Sequence, residues 1–236
     1  YYGYGAAPMA AESVRQMTEK FKSTSFFCLC GFTEGGPAGV ALLPEDQIRK
    51  AGAGGKYVVN MESHLADEKG RTITEPGVVG ELGVKGETIM KGYYKDPKAT
   101  AEVIRDGYVY SGDLGVLDEE GFITLVDRKK DMIITGGENV YSKEVEDAIY
   151  ENPKVQEACS IGIPDAKRGE NVKLFVVLKE GETATQEELI EYGKTKLAAY
   201  KLPVEVEFRK ELPKTNVGKI LRKQLRAEEM EKRKKQ

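Results

Sequence analysis

The sequence of 236 residues contains no tryptophan, one histidine and three cysteines. A single histidine leaves little room for Ser-His or other histidine-based acid–base chemistry. Three cysteines without a pairing pattern indicate a reducing, cytoplasmic compartment. The longest apolar runs have the length of short strands, so no integral membrane segment is predicted. The 36 basic and 39 acidic side chains nearly cancel, which argues against an anionic membrane or nucleic acid as a partner.

Two of the cysteines, Cys28 and Cys30, alternate in an apolar run. Alternate residues of a strand point to one face, so the run predicts a strand with both thiols on the same side. A metal site would need two further ligands, and His64 has no partner motif. We therefore expect the cysteines to be buried as small apolar side chains.

The basic C-terminal stretch, 219–235, resembles a nucleic-acid-binding tail in composition alone. Glu228, Glu229 and Glu231 interrupt it in a helical pattern. Such a pattern is typical of a solvated helix, and nucleic acid is not expected as a partner.

The order of strand-like and helix-like segments predicts a mixed α/β fold in three blocks. Residues 1–39 hold an amphipathic helix near 11–21 and a strand at 25–30 that runs into a loop. Residues 40–127 read as short strands joined by turns, typical of a β-rich subdomain. Residues 128–236 alternate strands and helices, as expected for a small domain.

Local signals place elements in the second block. A turn at 118–121 precedes an apolar strand at 122–126, which predicts a hairpin. Asp96 and Pro97 have the residue types of an N-cap and a first helical position, so a short helix is expected there.

The third block has two predicted strands, at 155–163 and 172–178. Thr185 and Glu188 have the spacing of a capping box, which predicts a helix from that point to about residue 199.

The most informative stretch is DRKKDMIITGGENVYSKEVE at 127–146. It predicts a charged turn, a β-branched strand at 132–135, a turn at Gly136 and Gly137, and a capped acidic helix from Ser142. Glycines at such a turn suit a backbone that a narrow ligand passes closely.

Three more segments keep order around this stretch: CLCGFTE at 28–34, YSGDLG at 110–115 and LPKTNVGKILR at 212–222. Together the four resemble the AMP-forming, adenylate-forming synthetases, and among these the acyl-CoA synthetases. Agreement of several spaced motifs is far more specific than any one of them. The resemblance implies that residues 1–39 are a remnant of a large N-terminal domain, followed by its barrel-like subdomain (40–127) and a mobile C-terminal domain (128–236).

Members of that family carry a Ser/Thr/Gly-rich phosphate loop upstream of the YGAAPM element that stands here at 4–9. No segment of the sequence fits such a loop. The nearest candidate, AGAGGKY at 51–57, lacks the residues that a Walker-type loop requires and predicts a solvent-exposed turn. We therefore expect a C-terminal fragment, inactive alone, whose partner is the missing N-terminal part of the same protein.

Acyl-adenylate formation brings a carboxylate against the α-phosphate of ATP, so a fixed cation close to both anions stabilises the transition state. Lys219 follows Gly218 in a predicted tight turn, where a flexible stem can deliver a point charge. The resemblance assigns Lys219 to the substrate carboxylate and the α-phosphate.

The resemblance implies that Thr33 contacts phosphate and that Glu34 holds magnesium, for which a carboxylate is a suitable hard ligand. Just upstream, the family often has an aromatic residue stacked on adenine, and Cys30 occupies that place. Residues Gly5, Ala6 and Ala7 of YGAAPM match further nucleotide-binding positions.

A carboxylate such as Asp113 can accept hydrogen bonds from both ribose hydroxyls. The resemblance makes Arg128 a second ribose contact and Lys130 the hinge of the mobile domain. One pose of that domain would deliver the catalytic lysine, and the other would bring Gly136 and Gly137 to line a pantetheine tunnel.

The predicted activity is that of an AMP-forming acid–thiol ligase, which uses ATP, Mg²⁺ and coenzyme A with a carboxylic acid. A medium or long fatty acid is the preferred substrate. The alternatives are a carrier-protein-loading adenylation domain, a luciferase-like oxygenase and a non-catalytic binding module.

Overall fold

The computed structural model describes residues 1–5, 9, 11–216 and 218–235. The chain forms two compact units, Tyr1–Lys129 and Lys130–Gln236. Helix accounts for 25% and strand for 37% of the chain, which confirms the mixed α/β fold class. In the described part, no helix has both the length and the apolar composition needed to cross a membrane.

The first sheet of the first unit has the order β1-β2-β3-β4. Its elements are β1 (Tyr2–Gly5), helix α1 (Ala11–Phe21), β2 (Phe26–Phe32), β3 (Gly36–Leu42) and β4 (Lys56–Tyr57). Strand β1 is parallel to β2, and the other pairs are antiparallel. The helix near 11–21 and the strand from about 25 agree with the sequence pattern. The boundary expected at residues 39 and 40 lies within β3.

The glycine-rich segment 51–57 is not the solvent-exposed turn that the sequence suggested. Gly54 and Gly55 are buried, and Ile123 donates from its amide nitrogen to the Gly55 carbonyl at 2.7 Å. A Cβ on Gly55 would stand 1.9 Å from the carbonyl oxygen of Ala41. Glycine is therefore required because two backbone segments approach each other closely here. Close approach of a phosphate is not needed to explain it.

The second sheet of this unit is a curled half-barrel. Its elements are β5 (Glu62–Ala66), β6 (Thr72–Ile73), β7 (Val79–Lys85), helix α2 (Pro97–Val103), β8 (Ile104–Arg105), β9 (Tyr108–Leu117) and β10 (Ile123–Arg128). The order is β10-β9-β7-β5-β6, with β8 paired to β9, and all pairs are antiparallel. Leu65, Leu82, Val84 and Val109 form the buried core.

Both local predictions for this sheet are confirmed. Asp96 caps α2 by accepting from the Ala99 amide at 2.9 Å. Asp118 closes the predicted hairpin by accepting from the amides of Glu120 and Phe122. The charged turn predicted from residue 127 onward begins later than expected. Arg128 is the last residue of strand β10 and is not part of a turn.

The second unit is a five-stranded sheet with helices on both faces. Its elements are β11 (Ile133–Thr135), β12 (Glu138–Val140), α3 (Ser142–Tyr150), β13 (Val155–Asp165), β14 (Gly169–Leu178), α4 (Gln186–Lys194), β15 (Glu205–Phe208) and α5 (Arg222–Lys234). The order is β12-β11-β14-β13, with β15 parallel to β14. On β14, Leu174 packs into the core with α3 and α4, whereas Phe175 packs into the core with Leu225 of α5.

The segment between the glycine pair and helix α3 differs from the prediction. A further strand, β12, pairs with β11, so Gly136 and Gly137 form the turn of a hairpin. Helix α3 begins at Ser142 as expected, but its N-cap is Tyr141 without a side-chain cap. The Ser142 hydroxyl instead donates to the Asp131 carbonyl at 3.0 Å.

Helix α4 begins with the predicted capping box, in which Thr185 and Glu188 bond reciprocally. It ends at Lys194, and not near residue 199. Gly193 stands in the last turn and packs closely against Leu202, and a glycine there weakens continuation of the helix. A short 3-10 helix at Ala199–Lys201 follows.

Helix α5 is not the fully solvated helix expected from its charge pattern. Leu225 is completely buried, and Glu229 is buried as well. The Glu229 carboxylate accepts from the ammonium of Lys173 on β14 at 2.6 Å. The acidic interruption of a basic stretch therefore marks a packed, ion-paired face, because a buried lysine needs a carboxylate partner.

Candidate functional site

Thr33 and Glu34 lie in a 3-10 turn, Thr33–Gly35, that joins β2 to β3. Thr33 is exposed and Glu34 is partly buried. The hydroxyl of Tyr93 donates to Glu34 Oε1 at 2.7 Å, and the Met90 amide donates to the Glu34 carbonyl at 2.8 Å. The hydrogen bond to the Glu34 carboxylate raises the pKa of Tyr93. These contacts hold Glu34 and its carboxylate in place.

Gly36 shows why this turn is rich in glycine. Its φ of 69° is in the left-handed region, and a Cβ there would stand 2.7 Å from the Thr88 carbonyl oxygen. Both the conformation and the space require glycine.

Gly5 ends β1 and lies opposite Leu29 in β2. A Cβ on Gly5 would stand 2.2 Å from the Leu29 carbonyl oxygen, so close strand packing by itself explains this glycine. Ala6 and Ala7, which the sequence also assigned to nucleotide binding, lie outside the described residues.

Asp113 on β9 and Arg128 on β10 are register partners. Arg128 donates from Nε to Asp113 Oδ1 at 2.7 Å and from Nη2 to the Ser111 carbonyl at 3.4 Å. The Asp113 amide donates to Ser111 Oγ at 3.0 Å. The structure thus brings two predicted ribose contacts into one partly exposed ion pair.

Lys130 is the first residue of the second unit, and its backbone is held in place by helix α5. Arg226 donates to the Lys130 carbonyl at 3.0 Å and to the Asp131 carbonyl at 3.2 Å. The buried Asp131 carboxylate also pairs with Arg226 and with Arg222. Sequence reasoning missed both arginines, although their spacing of four residues places them on one helix face.

Arg222 also pairs with Glu146 at 2.6 Å. Burial is the largest single influence and lowers the pKa of Arg222, but the charges around it, that of Glu146 first, and the hydrogen bond to Glu146 together outweigh burial and raise the pKa. The guanidinium therefore stays charged and fixes the first turn of α5, which directly follows the Lys219 segment.

Gly136 and Gly137 have φ values of 62° and 87°. Two central residues with positive φ are what a two-residue hairpin turn requires. Both glycines are exposed, and a Cβ on either would meet no atom within 4 Å. The space around the turn is open, so a ligand could pass it. The positive φ values alone, however, already favour glycine at both positions.

Lys219 lies near the end of a short antiparallel loop closed by the bridge from Lys214 to Ile220. Thr215 donates from its amide to the Lys219 carbonyl at 2.8 Å, and its hydroxyl accepts from the Lys219 amide at 3.1 Å. Gly218 supplies a φ of 81°. The side chain is exposed and forms no ion pair within the part of the chain that the structure describes.

Comparison with known proteins identifies the fold and relates the sequence to an enzyme family. The family model for the AMP-binding enzyme matches residues 1–94, and that for the AMP-binding enzyme C-terminal domain matches residues 144–219. A long-chain-fatty-acid–CoA ligase of Bacillus subtilis (strain 168) is 44% identical over 227 residues, covering 96% of this chain. The chain belongs to the AMP-forming acyl-CoA synthetase family.

Other proteins of the family also resemble this chain in sequence and in structure. A feruloyl-CoA synthase of Amycolatopsis sp is 40% identical over 94% of this chain and 45% of its own length. ATP-bound MatB from Rhodopseudomonas palustris superposes with a TM-score of 0.88 at 33% identity, covering 95% of this chain and 44% of that chain. The chain spans 40% of the Bacillus subtilis ligase, so these relatives are more than twice as long.

A solved complex of the family includes the reaction intermediate. The o-succinylbenzoate CoA synthetase of Bacillus subtilis, bound to its acyl-adenylate, has a TM-score of 0.84 at 35% identity. The superposition covers 94% of this chain and 45% of that chain.

Proposed function

We propose that the two units are the C-terminal part of an acyl-CoA synthetase that joins a carboxylic acid to coenzyme A through an acyl-adenylate. In the first step, a carboxylate oxygen attacks the α-phosphorus of ATP and pyrophosphate leaves. In the second, the CoA thiol attacks the acyl carbon and AMP leaves. The observation that carries the proposal is the exposed Lys219, which forms no ion pair among the described residues and lies near the end of the bridge-closed loop, in a chain whose family matches lie on both sides of the unit boundary.

Lys219 would act in the first step. Negative charge accumulates around the α-phosphorus while a second anion approaches, and a positioned ammonium lowers that barrier. The two hydrogen bonds between Thr215 and Lys219, one of them to the Thr215 hydroxyl, fix the base of the side chain. Its four-carbon stem remains free to deliver the charge.

Glu34 fits the role of the protein ligand to magnesium. Its carboxylate is held by Tyr93 through one oxygen, and Mg²⁺ in nucleotide sites is bound through one or two carboxylates, with phosphate and water oxygens as the other ligands. When bound, Mg²⁺ would neutralise charge on the phosphates. Thr33 is exposed beside Glu34 and has a hydroxyl to donate to a phosphate oxygen.

Asp113 would accept from the ribose hydroxyls, with Arg128 orienting its carboxylate. Lys130, at the start of the second unit, would be the hinge. The exposed Gly136–Gly137 turn would line the path of pantetheine in the thioester-forming pose, because glycines leave room for a thin ligand. The second unit thus carries one group for each half-reaction.

A long-chain fatty acid is the proposed substrate class. Relatives at 44–46% identity are named long-chain-fatty-acid–CoA ligases, while the feruloyl-CoA synthase is 40% identical. The three free cysteines support a cytoplasmic setting.

The test is Lys219→Ala in the full-length enzyme, with the two half-reactions measured separately. Carboxylate-dependent ATP–pyrophosphate exchange should fall by on the order of a hundredfold to a thousandfold, equivalent to about 3 to 4 kcal/mol. Thioester formation from supplied acyl-AMP should be largely retained. Lys223→Ala, an exposed lysine four residues away, is the matched control and should leave both steps intact. Equal loss of both steps in Lys219→Ala would assign this lysine a structural role.

A further inference from the structure

Three sulfur-containing side chains line one small cavity in the first unit. Met9, Cys28 and Cys30 surround it together with Tyr4 and Leu125. Its volume is about 10 Å³, which is roughly the space of one water-sized sphere. We call the set Met9, Cys28 and Cys30 the sulfur site. The cavity is large enough for one small atom or ion and too small for an organic ligand.

The strand geometry holds the two thiols together. Cys28 and Cys30 alternate on β2 and pair with Leu42 and Val40 of β3. Their Sγ atoms are 3.6 Å apart, and both cysteines are free. Two sulfurs bound to one ion at about 2.3 Å each, the length of a zinc–thiolate bond, lie roughly 3.8 to 4.0 Å apart at tetrahedral or trigonal angles. The thiols need to separate by only a few tenths of an ångström to bind one ion together.

The donor set selects a soft cation. Thiolate and thioether sulfurs favour copper(I), whereas carboxylates and carbonyls favour magnesium or calcium. Within the described residues, no group of three or more histidine, cysteine and acidic side chains could hold a metal. A four-coordinate zinc site with protein ligands therefore does not fit, but a two- or three-sulfur site does.

We propose that the sulfur site binds one soft monovalent cation of the copper(I) class. On binding, one of the two thiols releases its proton to solvent, and bonds form from the cation to both cysteine sulfurs, with Met9 as the third donor. The oxidation state of the metal does not change. The sulfur site is formed by residues of the first unit alone, and cation binding there does not require acyl-CoA synthetase activity.

The experiment titrates the 236-residue chain anaerobically with copper(I) in the presence of a chromophoric copper(I) chelator. Loss of the chelate absorbance measures both stoichiometry and affinity. One equivalent should transfer to the chain with thiolate-to-metal absorption in the near ultraviolet. Cys30→Ser should weaken transfer at least tenfold, and Met9→Leu should weaken it less. Mg²⁺ in excess should not compete.

Cys159→Ser is the matched control. Cys159 is buried in the second unit, so its loss should leave copper transfer unchanged. Cys30 is only partly buried, which limits the effect of its substitution on folding, and circular dichroism melting of each variant checks this. Undiminished transfer to Cys30→Ser, or loss of transfer in Cys159→Ser, would overturn the proposal.

Discussion

Arg128 and Asp113 face each other across β9 and β10, with the Arg128 Nε atom 2.7 Å from Asp113 Oδ1. The two side chains are 38% and 22% exposed, and ion pairs this exposed contribute about 0 to 1 kcal/mol to stability. The pair therefore orients a carboxylate at the surface far more than it stabilises the half-barrel.

Asp113→Asn in the full-length enzyme should raise the KM for ATP by roughly tenfold to a hundredfold, because hydrogen bonds to a charged group contribute about 1.5 to 3 kcal/mol. The KM for the acid should change little, and the free energy of unfolding should change by less than about 1 kcal/mol. Steady-state kinetics and urea unfolding measure these quantities. Asp106→Asn, an exposed turn residue, is the control. An equal rise in both KM values would argue against a ribose contact.

The turn at Gly136 and Gly137 calls for two different substitutions. Gly137→Leu places a branched side chain at a φ of 87°, so it should lower the melting temperature as well as CoA-dependent turnover. Gly136→Asn adds bulk at a φ of 62°, which asparagine tolerates. Gly136→Asn should therefore reduce CoA-dependent turnover by about tenfold with unchanged melting and persistent pyrophosphate exchange. If both half-reactions are unaffected in Gly136→Asn, this turn does not line the pantetheine path.

His64 should make stability depend on pH. Its ring stacks on Tyr108 at 4.2 Å, and burial lowers its pKa, which the charge of Glu62 partly opposes. An unfolded histidine titrates near 6.5, so below about pH 6.5 the unfolded state binds more protons. The stabilising contribution is complete above that pH and is lost as the pH falls through the lower folded pKa.

The thermal melting of the chain, compared at about pH 7.5 and about pH 5.5, tests this. His64→Phe keeps a ring against Tyr108 and takes up no proton. It should lose less stability on acidification than the natural chain, by up to about 1.4 kcal/mol for each pKa unit. Identical pH dependence in the two proteins would show that His64 is not responsible.

Lys173 and Glu229 form a buried ion pair at 2.6 Å in the second unit. Glu229→Leu leaves the Lys173 ammonium without its most buried partner, although Glu207 remains 3.0 Å away. We expect a loss of about 3 kcal/mol in the free energy of unfolding, and recovery of most of it in the double variant Lys173→Met/Glu229→Leu. Glu231→Leu, exposed on the same helix, should cost less than about 1 kcal/mol. Urea unfolding measures all three, and a double variant as unstable as Glu229→Leu would contradict this account.

Much of the candidate site could be predicted from the sequence, because its residues lie in compact motifs. Thr33 and Glu34 are adjacent, and Lys219 follows a glycine in a tight turn. The role of Tyr93 could not be predicted from the sequence, since Tyr93 lies 59 positions from the carboxylate that it holds. The contact of Arg222 with Asp131 spans 91 positions. Such contacts depend on strand register and helix packing, which no local pattern encodes.

The sequence by itself determined the mixed α/β class, the α2 cap, the capping box of α4 and the hairpin at residues 118–121, because each depends on neighbouring residues. Only the tertiary structure decided which face of α5 is buried, why Gly55 must be glycine, and that the glycine pair closes a hairpin. Each of these depends on a distant backbone or charge: Lys173 for Glu229, Ala41 for Gly55, and β12 for β11. Local patterns specify elements, whereas packing between elements specifies which side chains remain free to bind a ligand.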